Sequence, residues 1–362
     1  MDKFEVLRSY GFSDELLVEA EAVGNGALYP ARVVAQFKEL YRLAGMQGEF
    51  LAEVSGKWRH EAVGDSEFPV VGDFVLVDRV DDSAGYGVIH RLLKRKSLVV
   101  RKAAGKGRRE QLVAANVDLV FIAMACNGDF NLRRLERYLA VVYDSGALPV
   151  VLLMKADLAD DLDALLAEVR GVAVGVEVLV SSSWSGLGVS EVLSRVTSGK
   201  TVAFIGSSGV GKSTLINALL GDSFLATGEV RADGKGRHVT TRRELFLIPG
   251  GGVVIDTPGM RELGLGSADV SGAFLDIDEL AKSCRFKDCS HGAEPGCAVR
   301  EAVDKGLLKE ERLLSYLKLK VESGYEGLSA REREQVKMER MFADFGGVKQ
   351  ARDFAKNKGK NR

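Results

Sequence analysis

Residues Gly206 to Ser213 read GSSGVGKS, which is the complete G-x-x-x-x-G-K-[ST] phosphate-loop pattern. The apolar run KTVAFIG precedes it and the helix-like run STLINALL follows, which is the strand, loop and helix context that the pattern requires. We therefore predict a nucleotide-phosphate site, with backbone N–H groups and a helix N-terminus around the β-phosphate. Lys212 is expected to reach the β- and γ-phosphates, and the Ser213 hydroxyl to bind Mg²⁺. The predicted phosphate-contacting residues are Gly206, Ser207, Ser208, Gly209, Val210, Gly211, Lys212, Ser213 and Thr214.

A second apolar run, GVVIDTPG, ends at Asp256 and follows the phosphate loop along the chain. A carboxylate at this place can hold Mg²⁺, usually through a water molecule, and the Gly259 N–H can meet the γ-phosphate. The intervening GEVRADGKGRHVTTRREL is rich in glycine and charge, which is typical of a mobile switch segment. Within it, Thr240 or Thr241 is expected to close onto Mg²⁺ and the γ-phosphate, and the sequence leaves both threonines open.

Base recognition is predicted from two runs that precede the phosphate loop. VLLMKADL places Lys155 and Asp157 after a predicted strand, in the Asn-Lys-x-Asp pattern that reads guanine, with Met154 at the Asn position. Asp157 can accept from guanine N1–H and N2–H₂ together, which adenine does not offer, and Lys155 would pack over the base. In SSSWSGLG, Ser182 and Ser183 occupy the place of the serine-alanine element that supports the base. Met154 lacks the amide that would bridge base and loop, which predicts weaker affinity.

The order of these elements is rotated, because the phosphate loop usually comes first. A rotated order joins the old chain ends and opens the chain elsewhere, so the same sheet can form. The join would be TSGK, from Thr197 to Lys200. The sequence therefore predicts a circularly permuted GTPase domain. A general phosphate-loop ATPase is disfavoured by Asp157.

Apolar strands alternate with helices from NVDLVFIAMA onward, which indicates an α/β sheet covered on both faces. One predicted helix carries its apolar residues on a single face: Leu132, Leu135, Tyr138, Leu139 and Val142. Short β-like runs from Pro30 to about Lys96, split by Gly and Asp turns, predict a small all-β barrel of OB type. The predicted units are a helical N-terminal extension 1–30, a barrel 31–97, a basic linker 98–115, a circularly permuted GTPase domain 116–270, a zinc-binding helical domain 271–345 and a basic tail 346–362.

Three of the four cysteines lie within the fourteen-residue run CRFKDCSHGAEPGC. Cys284, Cys289, His291 and Cys297 supply three thiolates and one imidazole, which predicts a closed tetrahedral zinc site of structural type. A site with no open position is not expected to catalyse a reaction. Cys126 lies in an apolar strand and is predicted to be a core residue.

The net charge of −1 over 362 residues excludes a polycation, so any nucleic-acid surface must be a local patch. The stretch Lys94–Arg109 holds eight cations and no acid, and it fits either an RNA contact or a solvated linker. The tail Lys349–Arg362 holds six cations against Asp353 alone, and it fits either a solubilising end or an RNA-contacting arm. No apolar run reaches the ~18 residues of a membrane span, and the start lacks a signal-peptide pattern, so a cytoplasmic protein is expected.

The barrel, the permuted GTPase with GSSGVGKST, GRHVTT and DTPG, and the cysteine run together resemble the bacterial ribosome small subunit-dependent GTPase A family, over roughly residues 30 to 340. The resemblance implies an OB-fold, a permuted α/β GTPase and an α-helical zinc-binding domain. It further implies a cytoplasmic enzyme that binds the small ribosomal subunit and its rRNA late in assembly and hydrolyses GTP to GDP and phosphate faster when bound. Mg²⁺ with GTP, one structural Zn²⁺ and a monomer are expected. The alternative is a GTP-binding scaffold for a protein partner, with incidental hydrolysis.

Hydrolysis by the isolated protein is predicted to be slow. Met260 stands where many GTPases carry a water-orienting Gln, and Gly209 stands where others hold a potassium ion with Asn. His238 is a nearby side chain with an acceptor for a water, and we expect the small subunit to bring it over the γ-phosphate. Without the partner, His238 is expected to be a solvated loop residue. The predicted catalytic residues are His238, Lys212, Thr240 and Thr241.

Overall fold

The computed structural model describes residues 3–102, 110–182, 184–221, 244–256, 270–292 and 294–323. Several predicted site residues lie outside these ranges: Ser183, His238, Thr240, Thr241 and Gly259. Among the described residues, no helix combines the length and the apolar composition needed to cross a membrane.

A closed five-stranded barrel follows two short helices at the start of the chain. The helices are α1 (Glu5–Ser9) and α2 (Asp14–Gly24), and the strands are β1 (Tyr29–Gln36), β2 (Tyr41–Ala44), β3 (Glu49–Val54), β4 (Phe74–Val77) and β5 (Gly87–Leu92). A short helix, α3 (Gly56–Glu61), lies between β3 and β4. The strands follow the order β1-β2-β3-β5-β4, and β4 pairs back onto β1, which closes the ring. Only β3 and β5 run parallel. The predicted OB-type barrel is confirmed, and β2 is a strand that the sequence pattern did not indicate.

The N-terminal extension is packed onto the outside of this barrel. Ser13 caps α2 by accepting a hydrogen bond from Leu16 N at 3.3 Å. An apolar cluster joins the extension to the barrel, and its buried members are Phe4, Leu7, Phe12, Ala20, Phe74, Leu76 and Leu93. Burial of this cluster stabilises the helices on the barrel, since isolated helices this short are marginal in water.

The segment 98–115, predicted as a basic linker, contains a two-stranded antiparallel hairpin. Its strands are β6 (Leu98–Lys102) and β7 (Glu110–Ala115), and the residues between them lie outside the described ranges. Val99, Val113 and Ala114 are buried in the largest core cluster. Buried apolar residues therefore anchor the hairpin, although its cations dominate the sequence pattern.

Six further strands form the centre of the molecule, and they continue the sheet of the barrel through an antiparallel pairing of Glu244 with Ala35 of β1. In chain order the elements of this part are β8 (Leu119–Ala125), α4 (Leu132–Asp144), β9 (Leu148–Met154), α5 (Leu162–Val172), β10 (Glu177–Ser181), α6 (Val189–Leu193), β11 (Thr201–Gly206), α7 (Lys212–Leu220), β12 (Glu244–Leu247) and β13 (Val253–Asp256). The spatial order is β10-β9-β8-β11-β13-β12, with every neighbour parallel except β12 beside β13. Apolar clusters cover both faces, as predicted for such a sheet.

Of the C-terminal helices α8 (Leu275–Ala281), α9 (Ala298–Asp304) and α10 (Glu310–Ser323), α8 and α10 are joined to α4 by a buried charge network. Glu136 of α4 is fully buried and accepts from Arg312 at 3.1 Å, from Arg133 at 2.8 and 2.9 Å, and from the Ser315 hydroxyl. Arg312 also makes two bonds to Asp276, of 2.6 and 2.7 Å. The network fixes α8 and α10 against α4. The domain boundaries stay predictions.

Candidate nucleotide site and metal centre

The carboxyl ends of the parallel strands meet at one edge of the sheet, which is where ligands bind in such sheets. Strand register places Gly206 beside Ala123, and Met154 beside both Ala125 and Ser181. At this edge the phosphate loop leaves β11. The predicted base-reading loop (residues 155–158) leaves β9, and the serine loop (residues 182–188) leaves β10 at the same edge. The structure brings together three motifs that lie far apart in the sequence.

The first glycine of the phosphate loop has a conformation and surroundings that exclude a side chain. Gly206 has φ of +145°, and a Cβ there would lie 2.4 Å from the Ala123 carbonyl oxygen. Lys212 begins α7, and its ammonium donates to the carbonyls of Gly206 at 2.9 Å and Ser207 at 2.7 Å. The Lys212 side chain thus folds back over the phosphate loop. It lies at the N-terminus of α7, where the helix dipole favours an anion.

An unpredicted residue, Asp129, contacts this loop. It lies in the connection after β8, accepts a hydrogen bond from the Ser207 hydroxyl, and forms an ion pair with Arg134 of α4 at 2.9 Å. Arg134 also donates to the other Asp129 oxygen at 3.1 Å. Asp129 therefore ties the first turn of the phosphate loop to α4. The sequence offered one signal for this contact, namely that Asp129 follows β8, the strand beside β11.

The base-reading loop and the serine loop are joined by a direct hydrogen bond. The Ser182 hydroxyl donates to Asp157, and Ser185 N donates to the Ser182 oxygen at 3.3 Å. Lys155 has φ of +58° and ψ of +44°, a left-handed conformation that turns the chain sharply after β9. The predicted partners Lys155, Asp157 and Ser182 thus lie together, with the Asp157 carboxylate held at the edge of the sheet.

Met154 connects the base-reading strand to the phosphate loop by packing. Its side chain is 1 % exposed, and a Cβ on Gly211 would lie 3.1 Å from the Met154 methyl carbon. The thioether therefore fills the space directly behind the loop that precedes Lys212. This contact is apolar, where an Asn would have presented an amide.

Asp256 ends β13 at the same edge and is buried, at 6 % exposure. The neighbouring strand β11 leads into the phosphate loop, and Ser213 follows in the first turn of α7. The Asp256 carboxylate and the Ser213 hydroxyl are therefore carried to the same edge of the sheet. These are oxygen ligands of the kind that Mg²⁺ takes beside a bound nucleotide.

The cysteine run forms a compact cluster that can hold one metal ion. The ligand atoms of Cys284, Cys289, His291 and Cys297 all lie within 4.8 Å of one another. Cys284 and Cys297 have their sulfur atoms 3.9 Å apart, and His291 Nδ1 lies 3.7 and 3.5 Å from these two sulfurs. Burial lowers the pKa of His291, which favours the neutral imidazole that a metal requires.

The loop around His291 is held by charged side chains. Glu294 accepts from Ser290 N at 2.9 Å, from Gly292 N at 2.8 Å and from the Ser290 hydroxyl. These hydrogen bonds, the hydroxyl's first, lower the pKa of Glu294 to about 2. Arg300 donates to the carbonyls of His291 at 3.1 Å and Gly292 at 2.9 Å. Because His291 has a positive φ of +60°, these contacts stabilise a backbone conformation that its side chain disfavours.

A phosphate loop, a base-reading loop and a buried Asp on one sheet edge, in this rotated strand order, define a circularly permuted GTPase. Residues 92–266 match the family model of the RsgA GTPase. The chain is 46 % identical over 335 residues to "Small ribosomal subunit biogenesis GTPase RsgA 2" of Lactiplantibacillus plantarum, covering 92 % of this chain and 93 % of that one. The chain belongs to the RsgA GTPase family, and it is a GTP hydrolase.

Other relatives and solved structures agree with this assignment. A Methanosarcina acetivorans protein named "Small ribosomal subunit biogenesis GTPase RsgA" is 49 % identical over 266 residues, which is 72 % of each chain. The crystal structure of YjeQ from Thermotoga maritima is similar at a TM-score of 0.60 and 27 % identity, covering 81 % of this chain and 97 % of that one. YloQ, described as a circularly permuted GTPase, is similar in fold at a TM-score of 0.59 and 22 % identity, with 83 % and 96 % covered. The predicted fold class is confirmed.

Proposed function

We propose that this chain hydrolyses GTP during late maturation of the small ribosomal subunit and is stimulated by that subunit in the cytoplasm. The observation that carries the proposal is the joined base and phosphate site, in which Asp157 is fixed by Ser182 at the sheet edge that holds the phosphate loop. The ribosomal partner is supported by the names of relatives that align over most of the chain. Contact with rRNA and a monomeric state are part of the same proposal.

Each described residue has a task that its position supports. Asp157 accepts from guanine, while the stem of Lys155 packs on the base and Ser182 holds the carboxylate. The amides of the phosphate loop bind the β-phosphate, and Lys212 transfers its hydrogen bonds from two carbonyls to phosphate oxygens. Ser213 and Asp256 would hold Mg²⁺, which when bound neutralises charge that develops between the β- and γ-phosphates. Ser183, Gly259, Thr240 and Thr241 complete the proposed set.

The distances between ligand atoms of the cysteine cluster fit a bound zinc ion. Zn–S bonds of ~2.3 Å and Zn–N bonds of ~2.0 Å in a tetrahedron place sulfurs about 3.8 Å apart, and sulfur and nitrogen about 3.5 Å apart. The separations in the structure are 3.9 Å between Cys284 and Cys297, and 3.7 and 3.5 Å from these to His291. Three thiolates with one imidazole are a structural set, so we assign this zinc no part in hydrolysis.

The function is tested by GTP turnover with and without purified small subunits. We expect slow turnover alone and strong stimulation by the subunit, because Met260 replaces the water-orienting Gln. His238→Ala should bind GTP nearly as well as wild type and lose most of the stimulated rate. Equal turnover with and without subunits would instead favour a GTP-binding scaffold. An unimpaired His238→Ala would assign the catalytic group to the partner or to another residue.

Guanine recognition is tested by Asp157→Asn. The new amide donates where the carboxylate accepted, so the preference should shift from guanine toward xanthine nucleotides, measured by competitive binding of GDP and xanthosine diphosphate. Asp160→Asn makes the same charge change three residues away at an exposed position and should leave the preference unchanged. Unchanged GDP affinity in Asp157→Asn, with no gain for the xanthine nucleotide, would show that this loop does not read the base.

A further inference from the structure

Trp184 is an aromatic side chain that the described part of the chain leaves almost uncovered. It is 92 % exposed, whereas Trp58, the other tryptophan in the chain, is partly buried against the barrel core. Tryptophan is normally well buried, because its large apolar surface gains free energy on leaving water. An indole exposed to this extent is therefore a candidate for contact with a ligand or partner, where tryptophan is enriched.

Hydrogen bonds on both sides of Trp184 connect its loop to the Asp157 carboxylate. Ser182 N donates to the Leu187 carbonyl at 3.0 Å, which closes the loop at its base. The Ser182 oxygen accepts from Ser185 N at 3.3 Å while its hydroxyl donates to Asp157. Trp184 directly precedes Ser185, one Cα–Cα step of about 3.8 Å away, and the Ser185 amide and the Asp157 carboxylate both contact the Ser182 hydroxyl oxygen. The indole is therefore carried next to the proposed base site.

We propose that Trp184 stacks on the guanine base that Asp157 holds, on the face opposite the Lys155 stem. The inference rests on the proposed reading of guanine by Asp157. Stacking supplies apolar contact area in a site where Met154 offers no amide, and the indole, 92 % exposed, is barely covered by the part of the chain that the structure describes. Every base has a π-face, so stacking adds affinity without selecting the base. Trp184 therefore contributes to how tightly the nucleotide binds, whereas Asp157 decides which base is preferred.

The first test uses Trp184 as its own reporter. In a Trp58→Phe variant, all tryptophan emission comes from Trp184, because the chain contains two tryptophans. Titration with GDP should quench this emission, and the midpoint of the quenching curve should equal the dissociation constant measured by calorimetry. ADP at the same concentrations should have little effect. Emission that stays constant while calorimetry shows GDP bound would overturn the proposal.

The second test separates stacking from other roles of the side chain. Trp184→Ala should weaken GDP affinity about tenfold, within the range found when base-stacking aromatics are replaced by alanine. Trp184→Phe should keep most of the affinity, and both variants should keep the wild-type preference for GDP over xanthosine diphosphate. Leu187→Ala, a truncation of another exposed apolar residue on the same loop, should change GDP affinity little and is the control.

The remaining outcomes each decide the matter. Wild-type GDP affinity in Trp184→Ala, with loss of stimulation by the small subunit, would overturn stacking and assign the indole to a macromolecular partner. Quenching by GDP together with an unchanged preference in Asp157→Asn would support stacking and refute the reading of guanine by Asp157. Failure of the inference and failure of the proposed function are thereby distinguished.

Discussion

Cys289→Ser should abolish metal binding and unfold the region around the cysteine cluster. Wild-type protein purified without chelator should carry one zinc per chain, and the variant should carry almost none. Structural zinc contributes roughly 10–16 kcal/mol of apparent binding free energy in zinc-finger peptides, and where the site forms only on folding this is folding free energy. Metal analysis and hydrogen exchange of residues 275–304 measure the two effects.

The local structure explains why the loss should spread beyond one ligand. Cys297 caps α9 by accepting from Arg300 N at 3.4 Å, and His291 is held in a left-handed conformation between the other ligands. Without the metal, the short helices α8 and α9 lose the contacts that fix their connection. Cys126→Ala is the matched control, since Cys126 lies outside the cluster, and it should leave the zinc content at one per chain. A wild-type chain without zinc would refute the site.

Motifs whose chemistry is local could be predicted from the sequence. The phosphate loop depends on glycines at fixed spacing, and the cluster depends on four ligands within fourteen residues, so both were placed without tertiary information. The fold class followed from the alternation of apolar strands and helices. Strand β2 was missed because Arg42 interrupts its four residues, Tyr41–Ala44, whereas the equally short β4 is a continuous apolar run. The β6–β7 hairpin was missed because its cations concealed the buried Val99 and Val113.

Interactions between distant segments were not predicted, although one of them left a signal. Glu136 lies four residues after Leu132, and Arg312 lies four residues before Tyr316, so each charge occupies a helical position in line with apolar residues. A charge on an apolar helix face indicates a buried partner. The pattern does not say which partner, because the pairing of Glu136 with Arg312 depends on how α10 docks on α4. The contact of Asp129 with Ser207 left a weaker signal, since Asp129 lies on no helix face.

Arg312→Met should destabilise the packing of α10 on α4 by about 3 kcal/mol, because it leaves the buried Glu136 carboxylate with only the partly exposed Arg133 as a cation. The Arg312 and Glu136 side chains are 6 % and 0 % exposed, so water cannot readily replace the lost partner. The measurement is the free energy of opening of the α10 amides by native-state hydrogen exchange. The control is Glu322→Gln, which breaks the Arg137–Glu322 pair between the same two helices, where the side chains are 30 % and 36 % exposed.

The contrast between these two variants isolates burial as the cause. The Glu322→Gln variant should lose less than about 1 kcal/mol, since exposed ion pairs contribute little. The double variant Glu136→Met with Arg312→Met removes both buried charges and should be more stable than Arg312→Met alone, because Asp276 and Arg133 remain partly exposed and can be hydrated. Equal losses for Arg312→Met and Glu322→Gln would show that the buried network contributes no more than a surface pair. A double variant less stable than either single variant would show that Glu136 and Arg312 each stabilise the fold through other contacts, independently of their attraction for each other.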